Sequence, residues 1–232
     1  MKAVLLAGGK GTRLRPYTTN FPKPLMPIGD KPILEIVISQ LRDSGIKEII
    51  IATGHLEELI RVFFGDGSKF GVSITYTKED TPLGTAGPLN MVKERLDETF
   101  ILMNGDVLAN VDYKKLLNFH KSNGNLATIT LSKRTVYIDY GVVEIDEKNQ
   151  FTAWSEKPEI NYLVSTGIYM FDPAALKYLP EKRDSFITGP DLIQAVKKGG
   201  NNVGGYLHDD YWLDIGRPED YEKACNDFMD KF

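Results

Sequence analysis

Short apolar runs alternate with amphipathic stretches through the first half of the chain, and this alternation constrains the fold most. The apolar runs predict strands over residues 2–7, 48–52, 72–77 and 99–103. The amphipathic stretches predict helices over residues 33–41, 56–64, 85–96 and 113–122. Strands that alternate with helices pair in parallel through right-handed crossovers. The pattern therefore predicts a Rossmann-like α/β fold, with a mostly parallel sheet flanked by helices.

The second half differs, because its strand-like runs follow one another without intervening helices. These runs cover residues 127–132, 141–145, 151–156 and 165–171, and two helices and two short strands follow them. No linker rich in proline, glycine or serine separates the halves. We therefore predict a single domain over residues 1–232, whose second half, from residue 126, is mixed and rich in strands.

Composition excludes several classes of protein. The 232 residues are 42% hydrophobic and 26% charged, as in an ordinary globular protein. The single cysteine, Cys225, excludes a disulfide scaffold and a cysteine zinc site, and we expect it to pack in the core. No apolar run approaches the ~20 residues that cross a bilayer, and the N-terminal run is too short for a signal peptide. We expect a cytoplasmic protein with no membrane partner.

The charges are unevenly distributed along the chain. Residues 1–29 hold five basic side chains and no acidic one, although the whole chain has a net charge of −4. Such a basic island fits a local anionic ligand. It does not fit a nucleic acid, which needs an extended basic face. A chance cluster of solvated charges is the alternative.

Glycines 8, 9 and 11 follow the first predicted strand, where a glycine loop can cradle phosphate with its backbone N–H groups. The loop matches neither the dinucleotide fingerprint, because Leu14 replaces the last glycine, nor the P-loop. Arg13 offers a planar fork to phosphate oxygens. Lys23, held between two prolines, offers a point charge. Together they are able to hold a triphosphate, and a purely structural turn is the alternative.

These segments resemble the signature of the sugar-1-phosphate nucleotidylyltransferases. The motifs occur in that family's order: residues 6–16 (LAGGKGTRLRP), 22–27 (PKPLMP), 82–89 (PLGTAGPL), 104–106 (NGD), 140–142 (YGV), 156–158 (EKP), 166–169 (TGIY) and 212–216 (WLDIG). The resemblance implies the nucleotide-diphospho-sugar transferase fold, with a nucleotide-binding half over residues 1–125 and a sugar-phosphate-binding half over residues 126–232. It also implies a reaction in which an NTP and a sugar 1-phosphate give an NDP-sugar and pyrophosphate.

Two aspartates are candidates for a metal site. Asp106 stands just past the end of a predicted central strand, where open α/β sheets bind their ligands, and Asp214 follows another apolar run. The resemblance assigns both carboxylates to Mg²⁺, whose shell phosphate oxygens and waters would complete. A turn-capping role is the alternative for each aspartate.

The resemblance also assigns a sugar-phosphate pocket. Lys157 would bind the sugar phosphate and act in catalysis with Arg13 and Lys23, and Glu156 would accept hydrogen bonds from sugar hydroxyls. Further sugar contacts would come from Asn104, Gly141 and Thr166. From the residues alone, the alternative for residues 156–157 is a surface ion pair. The alternatives for Gly141 and Thr166 are a strand-end glycine and a core threonine.

The nucleotide is expected to contact the glycine loop and a second segment after the third strand. The assigned residues are Leu6, Ala7, Gly8, Gly9, Gly11, Thr12, Glu79, Pro82, Gly84 and Thr85. Glu79 favours guanine if it faces the base, because a carboxylate only accepts hydrogen bonds and guanine presents two adjacent donors. A solvated Glu79 is the alternative.

The expected substrates are GTP and mannose 1-phosphate, because residues 82–89 most resemble mannose-1-phosphate guanylyltransferases. Heptose 1-phosphate with GTP, and glucose 1-phosphate with UTP or dTTP, stay open. The sequence ends soon after the Asp214 motif, so we expect no C-terminal β-helix of the kind many of these relatives carry, and a homo-oligomer stays open.

Two alternatives come from other classes of protein. A non-catalytic nucleotide-sugar-binding regulator would be expected to have lost a phosphate or metal residue, and none is missing here. A nucleotide-sugar-dependent glycosyltransferase would leave the basic glycine loop over residues 8–23 unexplained.

Overall fold

Strands and helices alternate through the first half of the chain, and long strands dominate the middle of the second half. The structure, a computed structural model, describes residues 1–182 and 185–231, with side chains up to residue 228, and every predicted site residue lies within these ranges. The strands are β1 (Lys2–Ala7), β2 (Pro27–Ile28), β3 (Lys31–Pro32), β4 (Glu48–Thr53), β5 (Ser73–Lys78), β6 (Phe100–Asn104), β7 (Val107–Ala109), β8 (Ala127–Tyr137), β9 (Val142–Ile145), β10 (Phe151–Ser155), β11 (Glu159–Phe171), β12 (Val203–Leu207) and β13 (Trp212–Asp214). The helices are α1 (Ile33–Asp43), α2 (Glu57–Phe64), α3 (Leu89–Val92), α4 (Tyr113–Ser122), α5 (Gly189–Lys198) and α6 (Pro218–Lys231).

A seven-stranded sheet organises the molecule, in the order β12-β8-β11-β6-β1-β4-β5. Strands β6, β1, β4 and β5 pair in parallel, as the crossover pattern predicts. Strand β11 runs antiparallel to both of its neighbours, β6 and β8, whereas β12 and β8 are parallel. The predicted class, a mostly parallel α/β sheet with a mixed second half, is confirmed.

Helices cover both faces of this sheet, because successive side chains of a strand point to opposite faces. Ala3, Leu5 and Ala7 of β1 belong to one buried cluster, which also holds apolar residues of α1, α2 and α4. Val4 belongs to a second cluster, with residues of α3 and α5. Burial on both faces explains why the central strands read as continuous apolar runs.

A third buried cluster lies behind the glycine loop and supports the charged residues there. Leu14, Met26, Leu108 and Ile215 pack in it together with Ala224 of α6. Each of the first four lies within three residues of a charged residue assigned to the site. The cluster therefore holds segments that are distant in the sequence at one place beside the sheet.

Three sequence expectations need correction. The helix predicted over residues 85–96 is reduced to α3 and a 3-10 turn at Lys93–Arg95, because Gly87 and Pro88 are poor residues for a helix interior. Strands β8 and β11 extend well beyond the predicted runs. Their extra residues, 133–137 and 159–164, belong to a ribbon whose side chains mostly face water and so carry no burial signal. Cys225 is exposed on α6, and the expectation that it packs in the core is wrong.

No helix within the described ranges combines the length and the apolar character needed to cross a bilayer.

A buried histidine makes the stability of the fold sensitive to pH. His120 of α4 is 2% exposed, and its Nδ1 lies 2.9 Å from Thr128 Oγ1. Burial lowers the pKa of His120, so the folded state takes up a proton at lower pH than the unfolded chain, whose histidine pKa is about 6.5. The stability that depends on neutral His120 is present above this value and is lost as the pH falls below it.

We expect the free energy of unfolding to fall between pH 7 and pH 5, by at most about 1.4 kcal/mol per pH unit for this one group. Urea denaturation at several pH values measures it. His120→Gln should flatten the dependence, whereas His55→Gln, which removes an exposed histidine, should leave it as in the wild type. Equal pH dependence of the wild type and His120→Gln would contradict the assignment.

Candidate functional site

A cleft of about 750 Å³ lies at the carboxyl ends of the parallel strands. Most of its lining comes from the segments that directly follow β1, β4, β5 and β6. Open α/β sheets bind ligands at this edge, because the loops there diverge and leave a crevice. The structure therefore has a cleft where the fold class predicts a binding site.

The glycine loop forms one wall of the cleft, and two of its glycines, Gly8 and Gly11, are closely packed. A Cβ on Gly8 would lie 3.0 Å from Glu79 Oε1, and one on Gly54 would lie 2.9 Å from the Gly8 carbonyl oxygen. Gly11 has a φ of +59°, and a side chain there would crowd Thr18 and Lys23. The Thr18 hydroxyl donates to the Gly11 carbonyl at 2.7 Å. The loop is thus packed against Gly54 and Glu79 on one side and against Thr18 and Lys23 on the other.

Arg13 is directed into the cleft by a glycine from the far end of the chain. It lies in a 3-10 turn, Thr12–Leu14, whose Leu14 is anchored in the third cluster. A Cβ on Gly216 would come within 3.2 Å of both Nη atoms of Arg13. The guanidinium therefore lies against the bare Gly216 backbone, and both residues line the cleft.

Lys23 and Asp106 form an ion pair inside the cleft. Lys23 begins a 3-10 turn after Pro22, is 8% exposed, and donates from Nζ to Asp106 Oδ2. A lysine ammonium this buried needs a charged partner, and Asp106 supplies it. Two of the predicted phosphate and metal residues are therefore in direct contact.

Asp214 joins this group through strand pairing. Strand β13 pairs antiparallel with β7, which sets Asp214 opposite Val107, and the Ile215 N–H donates to the Asp106 carbonyl at 3.1 Å. Burial and the neighbouring Asp106 carboxylate raise the pKa of Asp214, against the opposing charges of Lys23 and Arg13. Asp214 is half-buried and is not itself part of the cleft lining.

The two aspartates have the character of a magnesium site that the substrate completes. No group of three or more His, Cys, Asp or Glu side chains within residues 1–182 and 185–228 could hold a metal by itself. Mg²⁺ commonly takes one or two carboxylates, together with phosphate oxygens and waters. The Asp106 carboxylate raises the pKa of Asp214, and a cation between the two carboxylates would offset their repulsion, so the pair fits this ion.

Glu79 lies in the cleft wall and is not a freely solvated side chain. Its Oε2 accepts a hydrogen bond from the Leu83 N–H at 2.8 Å, while Oε1 faces the Gly8 backbone. Burial raises the pKa of Glu79, and the hydrogen bond from Leu83 opposes this shift. One carboxylate oxygen therefore shapes the loop over residues 79–83, and the other is directed toward the glycine loop.

The structure brings all ten predicted nucleotide contacts together in this cleft. The lining includes Leu6, Ala7, Gly8, Gly9, Gly11, Thr12, Glu79, Pro82, Gly84 and Thr85, and also Arg13, Lys23, Asn104 and Asp106. Asn104 ends β6 and lies against Gly167 of β11, where a Cβ would come within 2.7 Å of its Nδ2.

The other predicted sugar residues do not line this cleft. Glu156 is exposed and accepts a hydrogen bond from Trp154 Nε1 at 3.0 Å. A side chain on Gly141 would collide with that tryptophan ring. Lys157 is exposed, and its φ of +44° is unusual for a residue with a side chain. These three residues form a separate group beside the hairpin of β9 and β10.

Thr166 is buried in the sheet. It is 1% exposed, and its hydroxyl donates to the Thr130 carbonyl at 3.0 Å. Its own carbonyl accepts a hydrogen bond from Trp212 Nε1 at 3.0 Å, which ties β11 to the strand that carries Asp214. The hydroxyl of Thr166 is therefore engaged within the protein, as the core-threonine alternative expects.

The cleft residues that sequence reasoning did not assign to the site include Gly54, His55, Phe186 and Gly216. Gly54 and His55 directly follow β4, so their position after a parallel strand could have identified them. Gly216 stands two residues after Asp214, within a quoted motif. Phe186 has no comparable signal, because only the folded chain brings it to the cleft.

The sequence of this chain is similar to those of known proteins. The family model described as "Nucleotidyl transferase" matches residues 2–231. A UTP–glucose-1-phosphate uridylyltransferase of Synechocystis sp. is 34% identical over 100% of this chain and 64% of its own length. A mannose-1-phosphate guanylyltransferase of Mycobacterium tuberculosis is 34% identical over 98% of this chain and 64% of its own length. The chain thus spans just under two thirds of these curated relatives.

A solved structure gives the same fold. The crystal structure of HddC from Yersinia pseudotuberculosis complexed with GMP-PN superposes with a TM-score of 0.74 and 27% identity. The match covers 98% of this chain and 99% of that one.

The Asp214 carboxylate should lower the stability of the folded protein when no metal is present. We expect Asp214→Asn to raise the melting temperature in EDTA at pH 7 by roughly 2 °C, because it removes a half-buried charge beside Asp106. Thermal unfolding measures this change. Asp209→Asn, which alters an exposed carboxylate, should leave the melting temperature unchanged. A clear fall for Asp214→Asn would instead support the turn-capping role.

Proposed function

The chain belongs to the nucleotidyl transferase family, and we propose that it is an enzyme that transfers a nucleotidyl group from an NTP to a sugar 1-phosphate and releases pyrophosphate. The observation that carries the proposal is the meeting of Arg13, Lys23, Asp106 and Asp214 beside the glycine loop. The four residues come from three distant segments. Such a group of opposite charges in a cleft suits a polyphosphate ligand with its counter-ion.

The proposed reaction needs positioning and charge neutralisation more than proton transfer. An oxygen of the sugar phosphate attacks the α-phosphorus of the NTP in line, the bond from that phosphorus to the β-phosphate oxygen breaks, and pyrophosphate leaves. A phosphate monoester is largely dianionic at pH 7, so the attacking oxygen needs no general base. Catalysis can then depend on fixed cations that stabilise the developing charge.

Arg13 and Lys23 would carry out this stabilisation. The guanidinium of Arg13, supported by Gly216, presents a fork to the β- and γ-phosphate oxygens. Lys23 has three N–H donors, so it can keep its bond to Asp106 while another N–H donates to the departing pyrophosphate. Mg²⁺ held by Asp106 and Asp214 would supply further neutralisation of phosphate charge when bound.

The sugar phosphate would approach from the side of β11. We assign its phosphate to Lys157 and its hydroxyls to Glu156, with Asn104 and Gly141 in the pocket wall. The strained backbone of Lys157 supports a functional role, because such conformations concentrate at binding sites. Thr166 would contribute through its link to Trp212 and not through its hydroxyl.

GTP and mannose 1-phosphate are the proposed substrates. Guanine would donate to Glu79, whose Oε1 is directed toward the glycine loop. A mannose-1-phosphate guanylyltransferase among the relatives and a guanine nucleotide in a structural neighbour support this choice. The uridylyltransferase relative keeps UTP with glucose 1-phosphate as the second candidate pair. Because NTPs and sugar phosphates are cytoplasmic metabolites, the reaction also favours a cytoplasmic location.

The first test is pyrophosphate release with Mg²⁺ across GTP, UTP, dTTP, CTP and ATP, each with mannose, glucose and heptose 1-phosphates. We expect GTP with mannose 1-phosphate to give the highest kcat/KM. Release with UTP and glucose 1-phosphate alone would keep the reaction and remove the guanine assignment. Binding of an NDP-sugar with no release from any pair would favour the regulator.

Arg13→Ala should lower kcat by about 100-fold or more, by analogy with the loss of a donor to a developing oxyanion. Arg15→Ala is the matched control, because Arg15 is exposed nearby and does not line the cleft. It should keep kcat within about twofold, since exposed charges act weakly through water. Steady-state kinetics on both variants measures the contrast, and similar kcat values would remove Arg13 from the mechanism.

A further inference from the structure

An exposed aromatic ring lies at the rim of the cleft. Phe186 is 67% exposed and lines the cleft. It is the one Phe, Tyr or Trp among the lining residues in the described part of the chain. A phenylalanine side chain left in water forfeits the favourable free energy that burying its apolar surface would give. A ligand that covers Phe186 would recover much of that burial.

The backbone next to Phe186 is hydrogen-bonded to residues 83–87, a segment predicted to contact the nucleotide. The Ile187 N–H donates to the Leu83 carbonyl at 2.9 Å. The Ile187 carbonyl accepts from the N–H groups of Ala86 and Gly87, at 2.9 and 3.1 Å. Gly84 has a φ of +78°, and a Cβ there would collide with the same carbonyl. The two segments therefore form one continuous wall.

The chain after Phe186 is anchored as well. Thr188 caps α5 through a capping box with Asp191. The Gly189 N–H donates to Thr85 Oγ1 at 2.8 Å. The ring is thus displayed from a fixed backbone, and only its two side-chain torsions are free.

We infer that Phe186 stacks on the nucleobase of the bound NTP and contributes to the choice of a purine. This inference rests on the proposed function, since it deepens the specificity of the same site. Bases have large planar π faces, and an aromatic side chain prefers an offset stack on such a face. The other apolar groups of the cleft, such as Leu6, Ala7 and Pro82, are aliphatic and cannot make this contact.

The base is the part of the substrate that Phe186 fits. Its backbone is bonded to residues 83–87, whereas Arg13 and Lys23, which would bind the phosphates, belong to other segments. Glu156 and Lys157, which would bind the sugar phosphate, do not line the cleft that contains Phe186. A purine offers a larger face than a pyrimidine, so stacking on Phe186 favours GTP over CTP or UTP.

The test is the affinity of the full chain for GTP, CTP and inorganic tripolyphosphate, measured by calorimetry on the wild type, Phe186→Ala and Phe186→Tyr. We expect Phe186→Ala to weaken GTP binding by about tenfold, within the range measured for base–aromatic stacking. It should weaken CTP binding less and leave tripolyphosphate binding unchanged, because that probe has no base. Phe186→Tyr, which keeps the ring, should bind GTP like the wild type.

Phe151→Ala is the matched control, because Phe151 is similarly exposed but lies outside the cleft, so GTP affinity should not change. Equal GTP affinity in Phe186→Ala and the wild type would overturn the inference. Equal weakening of GTP and tripolyphosphate would also overturn it, since that result indicates general damage to the cleft. So would a change confined to the KM for the sugar phosphate.

Pyrophosphate release by the wild type separates this inference from the proposed function. If GTP binding depends on Phe186 but no pyrophosphate is released, the inference stands and the proposed reaction fails. If pyrophosphate is released and Phe186→Ala binds GTP normally, the reaction stands and the inference fails.

Discussion

The antiparallel pairing of two three-residue strands, β7 and β13, is the constraint on which the charged site depends. It places Asp214 opposite Val107 and lets the Ile215 N–H donate to the carbonyl of Asp106. The two carboxylates come from distant segments, and no local sequence rule could bring them together. Leu108 and Ile215, one on each side of this pairing, are fully buried in the third cluster. Apolar burial of these neighbours therefore supplies the stability that holds two like charges near each other.

The charged side chains of the site would be better stabilised with a substrate bound than in the empty cleft. Burial and the Asp106 carboxylate raise the pKa of Asp214, so the ionised form of this side chain costs free energy in the folded chain. Lys23 forms an ion pair with Asp106. Arg13 lies against Gly216, and its guanidinium faces the cleft. A polyphosphate with its cation would satisfy both signs of charge at once. Preorganised charge of this kind is costly in the free protein and effective in a transition state.

Sequence reasoning succeeded where local chemistry determines structure. Strand β1 and helix α4 were predicted with their observed bounds, because burial and helix capping determine which residue types occur at these positions. The glycine loop was found for the same reason. Gly216 and Phe186 were missed because their roles depend on contacts with Arg13 and with residues 83–87, which only the tertiary fold creates. The β8–β11 ribbon was missed because its residues are solvated on both faces.

The boundary between the halves of the chain does not divide the site. The wall that would face the base contains Ile187 and Gly189 of the second half, bonded to Leu83 and Thr85 of the first. The two aspartates that we propose as metal ligands likewise come one from each half. Thr166 then connects the sheet to Trp212, two residues before Asp214. A ligand against this wall would contact both halves, and the backbone bonds at Ile187 would give the second half a direct part in recognising the proposed nucleotide.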